Sequence, residues 1–190
     1  MRVADLCAGT GSATKFFAER GHVVDRYDLP DGDVTKLHFS RGQYDFIWAS
    51  PPCQDYAKLR MLQWFPEPFE IDLTVWEHCR RLILEADPKF YVIENSLGAK
   101  RIWGPPSHTN GAWTFWGNLI SWPKGSWWKG TSRSGPRCKY TKSPVKRAVL
   151  PEKLARQFPI LVERGLIVQE KLDKFFNPPP SASCGHSEKG

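Results

Sequence analysis

At 190 residues, with a net charge of +7, 41% apolar side chains and 13% aromatic ones, the chain is long enough to bury one sizeable core. No apolar run approaches the roughly twenty residues of a membrane span, and the start, Met1 to Cys7, runs into an apparent strand without a signal peptide, so an intracellular, cytoplasmic protein is expected. The cysteines, Cys7, Cys53, Cys79, Cys138 and Cys184, are odd in number and scattered with no C-x-x-C pattern, which argues against a disulfide framework and a structural metal site.

Taken in chain order, Arg2–Leu6 reads as a strand and Ala13–Arg20 as a helix closed by Gly21. His22–Tyr27 and Tyr44–Ala49 read as further strands. Between Asp33 and Asp45 there is too little chain for a full helix and strand, so one unit is abbreviated. Over residues 73–86, Leu73, Trp76, Cys79, Leu82, Ile83 and Ala86 recur at helical spacing, with Arg80, Arg81 and Glu85 on the opposite side. Lys89–Glu94 follows as a buried strand and Trp113–Leu119 as another, with residues 120–146 as loop. Pro151 opens a helix to Phe158, where Pro159 kinks or restarts it, and Leu166–Phe176 is a second helical stretch. Residues 177–190 read as a disordered tail behind a single domain over 1–176. Strand and helix alternate, which predicts an α/β fold: an open, mostly parallel sheet with helices on both faces.

Three strand ends carry the chemistry. Asp5-Leu6-Cys7-Ala8-Gly9-Thr10-Gly11 leaves the first strand through two glycines into a helix, a turn that lets backbone approach a nucleotide-like ligand and offers unpaired N–H groups. Asp28 ends the second strand, where a carboxylate can bind ribose hydroxyls; a surface turn is the plainer reading. Asp33, in Gly32-Asp33-Val34, has a similar position, with a turn or helix cap as its alternative. The apolar strand Phe46–Ala49 delivers Ser50-Pro51-Pro52-Cys53-Gln54, and the two prolines hold Cys53 on a stiff turn, as a nucleophile requires. Phe90–Ile93 ends in Glu94-Asn95. Adjacent parallel strands emerge on one side of a sheet, so Cys53 and Glu94 can meet in one cleft.

The order Asp-Leu-x-Ala-Gly-x-Gly, Gly-Asp-Val, Pro-Pro-Cys-Gln and Glu-Asn resembles the DNA cytosine-C5 methyltransferases, with short phage- or prophage-type members closest. Trp116-Gly117-Asn118, and Arg147 to Pro151 with Leu154-Ala155, extend the likeness to residues 1–165. The resemblance implies a Rossmann-like methyltransferase fold, S-adenosylmethionine as cofactor and DNA as partner. It implies that Cys53 adds to carbon 6 of cytosine and that Glu94, kept protonated, bonds ring nitrogen 3. Asn95 would hold the loop or the base. Residues Asp5, Leu6, Cys7, Ala8, Gly9, Thr10, Gly11, Asp28, Asp33, Ser50 and Pro51 would form the cofactor side, with Asp28 at the ribose and Asp33 at the adenine amine.

The sequence departs from the family in three places. No Arg-x-Arg follows Glu94-Asn95, Ser96 stands where valine is usual, and the recognition domain is expected to be absent or reduced to the basic, Trp-rich stretch 120–146. In its place, Trp116 to Arg147 contains no Asp or Glu but carries Lys124, Lys129, Arg133 and Arg137 among Trp122, Trp127, Trp128 and Tyr140. Cations for phosphates and flat rings for bases suit a DNA-contact segment, and a solvated basic loop is the other reading. A second chain or a dimer is one way recognition could be supplied. The rival functions are a cofactor- and DNA-binding module without catalysis, and a methyltransferase for RNA, a free nucleotide or an exocyclic amine.

Overall fold

A computed structural model describes residues 1–58, 70–110, 113–124 and 150–176. Its centre is a six-stranded sheet of β1 (Arg2–Leu6), β2 (Val23–Tyr27), β3 (Phe46–Ala49), β4 (Phe90–Asn95), β5 (His108–Asn110) and β6 (Trp113–Gly117), in the spatial order β2-β1-β3-β4-β6-β5. The first four strands are mutually parallel. β6 runs antiparallel to both its neighbours, β4 and β5.

Alternate strand residues face opposite sides of the sheet, so each strand feeds two cores. On one side Ala4, Leu6, Ile47, Ala49 and Ile93 pack against Cys79, Leu82, Ile83 and Ala86 of α3 (Thr74–Ala86). On the other, Val3, Phe46, Trp48, Val92 and Phe115 pack against Phe16 and Phe17 of α1 (Lys15–Glu19). They also meet Leu154 and Ala155 of α5 (Glu152–Ala155), and Phe158 and Val162 of α6 (Gln157–Phe176). Helices therefore cover both faces, the α/β architecture expected from the alternation. Burial on both faces also explains why β3 reads as an unbroken apolar run.

α1 begins two residues later than the sequence pattern suggests. Thr14, at φ −106° and ψ −2°, gives its hydroxyl to Asp5 and stays outside the helix. β3 begins at Phe46, not Tyr44, and β6 stops at Gly117, where an added Cβ would lie 2.2 Å from the Tyr91 carbonyl oxygen. The C-terminal helix breaks at Arg156, ahead of Pro159. That proline sits in the first turn of α6, where a missing N–H costs no helical bond. α6 then runs unbroken to Phe176 with no second start at Leu166. The short elements β5, α2 (Gln54–Lys58) and α4 (Lys100–Trp103), the last preceded by a 3-10 turn at Leu97–Ala99, lack a periodic signal and escape a sequence reading. The tail 177–190 and the segment 125–149 lie outside the described residues.

Candidate active site

The carboxyl ends of β1, β2, β3 and β4 all emerge on one edge of the sheet, and every chemistry-bearing strand end arrives there. After β1 the chain curls tightly, with positive φ at Cys7 (57°), Gly9 (52°) and Gly11 (66°). Glycine is required at position 11 for a second reason: a Cβ there would lie 2.7 Å from Nε of Arg26. At Gly9 an added Cβ would meet nothing within 4 Å, so the loop presents open space on that side.

The amides of Ala8, Gly9 and Gly11 are not the unpaired donors expected from the sequence. Ala8 N–H donates to the Tyr27 carbonyl, Gly9 N–H to Asp28 Oδ2 at 2.9 Å, and Gly11 N–H to the Ala8 carbonyl. The end of β2 satisfies two of them and the curl itself the third, and α1, only five residues long, starts four residues beyond Gly11. Asp28, exposed at the end of β2, thus clamps the glycine loop.

Asp5 is 1% exposed. Its Oδ2 accepts from the Thr14 hydroxyl at 2.5 Å, and its Oδ1 is buried with no partner. Burial pushes its pKa from 3.8 up to about 7, against the opposing pull of Thr14 and of the Arg26 charge. Leu6 is core, and Cys7 packs inward with its sulfur 3.9 Å from that of Cys79, so both can meet a cofactor only through backbone. Asp33 serves as a turn cap: its Oδ1 accepts from the backbone and hydroxyl of Thr35, bonds that lower its pKa, and its Oδ2 lies 3.4 Å from Lys36. Arg26, beside Gly11 and within electrostatic reach of Asp5, is the residue of this edge that sequence reasoning missed. It occupies a solvent-side position of β2, and nothing in its spacing distinguishes it from a surface arginine.

β3 and β4 are adjacent and parallel, with Ala49 opposite Ile93, so the next residues, Ser50 and Glu94, lie side by side. Cys53 follows three residues on and is exposed. Asn95 is 1% exposed and ties the two strand ends together: its Nδ2 donates to the Pro51 carbonyl at 2.9 Å while its Oδ1 accepts from Ser96 N–H. Glu94 keeps some surface open at the edge, but its carboxyl is enclosed, and burial pushes its pKa from 4.5 up to about 7, opposed by a hydrogen bond from Ser50. The arrangement brings an accessible thiol and a carboxyl that retains its proton near neutrality to one edge.

Of the basic segment, Lys124 is exposed, and its backbone N–H donates to Gln157 Oε1 on α6 at 3.2 Å. Trp122 departs from the expected stacking platform. It turns inward, its ring 5.5 Å from that of His108, because Phe115 and His108 offer it an apolar shelf. Lys129, Arg133, Arg137, Trp127 and Trp128 lie outside the described residues. The chain re-enters at Leu150, buried, whose N–H donates to the Ser12 hydroxyl of the glycine loop at 3.1 Å. Among the described residues no cluster of three or more metal-ligating side chains occurs, and no helix is long and apolar enough to cross a membrane.

The sheet order and the residues gathered at its carboxyl edge define a Rossmann-like α/β domain. Residues 10–101, just under half the chain, match the family model of the C-5 cytosine-specific DNA methylases. Over that stretch the chain resembles the C-5 cytosine-specific DNA methylases. A stretch of 69 residues is 38% identical to a protein of Frog virus 3 (isolate Goorha) described as a probable DNA (cytosine-5)-methyltransferase, covering 32% of this chain and 32% of that protein. A solved structure of a prophage-encoded protein (E. coli), described as a DNA modification methyltransferase, is 21% identical, covering 52% of this chain and 33% of that one with a TM-score of 0.36. At that score the likeness adds nothing to the fold described above. The chain spans about a third of the length of each of these two relatives.

Proposed function

We propose that this chain, as one catalytic domain over residues 1–176, transfers a methyl group from S-adenosylmethionine to carbon 5 of cytosine in DNA, with Cys53 as nucleophile. The observation that carries the reading is the joining of two strand ends. β3 presents Pro51-Pro52-Cys53, β4 presents Glu94, and Asn95 bonds one to the other across the gap. The methylase match over residues 10–101 includes both.

Carbon 5 of cytosine is a poor nucleophile until a thiolate adds at carbon 6. Cys53, held exposed by its two prolines, would form that bond, sending the ring's double-bond electrons toward carbon 5 and nitrogen 3. Glu94 would donate its proton to nitrogen 3, neutralising the charge that develops there. S-adenosylmethionine, when bound, supplies the electrophilic methyl group. Loss of the carbon-5 proton to water re-forms the ring double bond and expels the Cys53 thiolate, while Glu94 recovers its proton. A base in a duplex must leave the stack to reach this edge.

The glycine loop fits the cofactor: open space at Gly9, the unpartnered buried Oδ1 of Asp5, and the exposed carboxylate of Asp28 suit a ligand bearing cationic and hydroxyl groups. Ala8, Thr10, Ser50, Pro51 and Asp33 complete the proposed cofactor side. The DNA would be gripped by the carboxylate-free segment, through Lys124, Lys129, Arg133 and Arg137, with Trp127 and Trp128 against bases.

The test is methyl transfer from tritiated cofactor to duplex DNA, single-stranded DNA, RNA and dCMP, followed by nucleoside analysis. 5-Methylcytosine in DNA is the expected product. N4-methylcytosine or N6-methyladenine would refute the reading, and cofactor binding without transfer to any substrate would favour a non-catalytic module.

A further inference from the structure

We propose that Trp48 and Ser50 are positioning residues for Glu94: the buried indole of Trp48 fixes the Ser50 hydroxyl, and Ser50 in turn fixes which oxygen of Glu94 faces the substrate. The inference rests on the proposed cytosine methylation and adds two residues to it.

Trp48 is fully buried, wedged edge-on against Phe115 and Phe158. An indole N–H is a donor only, and a buried one needs an acceptor. Its Nε1 donates to Ser50 Oγ at 2.7 Å, two residues on, where Ser50 N–H carries the β1–β3 pairing one residue past β3 by bonding the Leu6 carbonyl. The indole bond uses a lone pair of the hydroxyl and leaves its O–H to donate. The β3–β4 register places Glu94 beside Ser50, and the Ser50 hydroxyl bonds the Glu94 carboxyl.

The consequence concerns the proton. A carboxylic acid has one oxygen that accepts and one that carries hydrogen. With Ser50 donating to one oxygen, the proton must reside on the other, turned away from Ser50 and available to the ring nitrogen of a substrate. Without the Trp48 bond the serine hydroxyl would be free to rotate, and either oxygen could hold the proton. Ser50, assigned to the cofactor side by family resemblance, thereby acquires a task on the catalytic side.

The groups around Glu94 make its titration a clean readout. β3 faces it with Ser50, which is neutral, and β6 faces it with Phe115 across the register. His108 on β5 lies one strand further, opposite Phe115, and burial lowers its pKa. Asp5 lies on the far side of β3, opposite Trp48. No charge contributes to the perturbation of Glu94, which is set by burial and by Ser50 alone.

The experiment is a carboxyl-carbon NMR titration of protein labelled with 13C-glutamate, the Glu94 signal being assigned by its absence in Glu94→Gln. It is paired with single-turnover methylation of duplex DNA across the same pH range. Wild type should titrate at Glu94 near pH 7. Ser50→Ala removes a donor to the ionised form, so the midpoint and the basic limb of the rate should both move up by roughly half to one pH unit. The plateau rate should fall about tenfold. Ser50→Thr should behave as wild type, and Trp48→Phe should move the midpoint the same way by less. An unchanged Glu94 midpoint in folded Ser50→Ala overturns the relay whatever the activity. A wild type that makes no 5-methylcytosine overturns the proposed reaction instead, while the midpoint shift still reports the relay.

Discussion

Replacing Asp5 with Asn should change how stability depends on pH while leaving the fold intact. Asp5 is 1% exposed, and its pKa stands near 7 against an ordinary 3.8. Between about pH 4 and 7 the folded protein therefore holds a proton that the unfolded chain has released. Stability is full below the unfolded value and falls as pH rises through that window, levelling off above the folded value. A displacement of about three units corresponds to about 4 kcal/mol. Asn is neutral in both states and can still accept from Thr14, so the variant should lack this slope. Urea unfolding followed by tryptophan fluorescence, repeated from pH 4.5 to 8, should give curves that cross. The variant would be slightly weaker in acid, where its new amide lacks a partner, and stronger above neutrality. Glu94 contributes in the same sense to both proteins and cancels in the comparison. Parallel stability curves across the range would refute the assignment of a buried, protonated Asp5.

Cys53→Ser should lower methyl transfer by roughly 10⁴- to 10⁶-fold with cofactor affinity retained, and only the wild type should trap DNA carrying 5-fluorocytosine as a covalent adduct. Asp28→Ala should weaken cofactor binding by about 1–3 kcal/mol, read by calorimetry, because it removes both a ribose acceptor and the clamp on Gly9. If about half of the cations in the carboxylate-free segment touch phosphate, log affinity for DNA should fall with log salt at a slope of roughly −3 to −4. Replacing Lys124, Lys129, Arg133 and Arg137 with Ala should flatten that slope equally on two unrelated duplexes, and a loss confined to one duplex would mark sequence reading instead.

What the sequence made legible is what periodicity and strand-end chemistry encode. α3 is readable because Cys79, Leu82, Ile83 and Ala86 recur at 3.6-residue spacing, and β3 and β4 because buried parallel strands are apolar throughout. Their ends, Cys53 and Glu94 with Asn95, could be placed on one edge from alternation alone. The satisfaction of the glycine-loop amides was not legible, since it depends on Tyr27 and Asp28 meeting Ala8 and Gly9 across two strands. The same holds for Trp122, whose inward turn depends on β5, a three-residue strand with no pattern of its own. Trp48 illustrates the limit most plainly. In the sequence it is one more apolar residue of a core strand, and only the 2.7 Å bond to Ser50 gives its nitrogen a role.

Asp5 and Glu94 are two buried carboxyls on one edge, both displaced to about pH 7, yet their surroundings drive them apart once ligands arrive. Glu94 meets only the neutral Ser50 hydroxyl and no cation, so burial outweighs the one bond that favours its ionisation, and it stays an acid. Asp5 has a vacant oxygen, Oδ1, on the proposed cofactor side, where S-adenosylmethionine would bring an ammonium and a sulfonium. A nearby cation favours the ionised form, so binding should expel a proton from Asp5. At pH 7, with the group half titrated, about half a proton should leave per cofactor bound. Calorimetry in two buffers of different ionisation enthalpy measures that number directly. Release in the wild type and none in Asp5→Asn would place Asp5 against the cofactor's positive end. Equal release from both proteins would remove it from the site and leave its raised pKa as a property of the core alone.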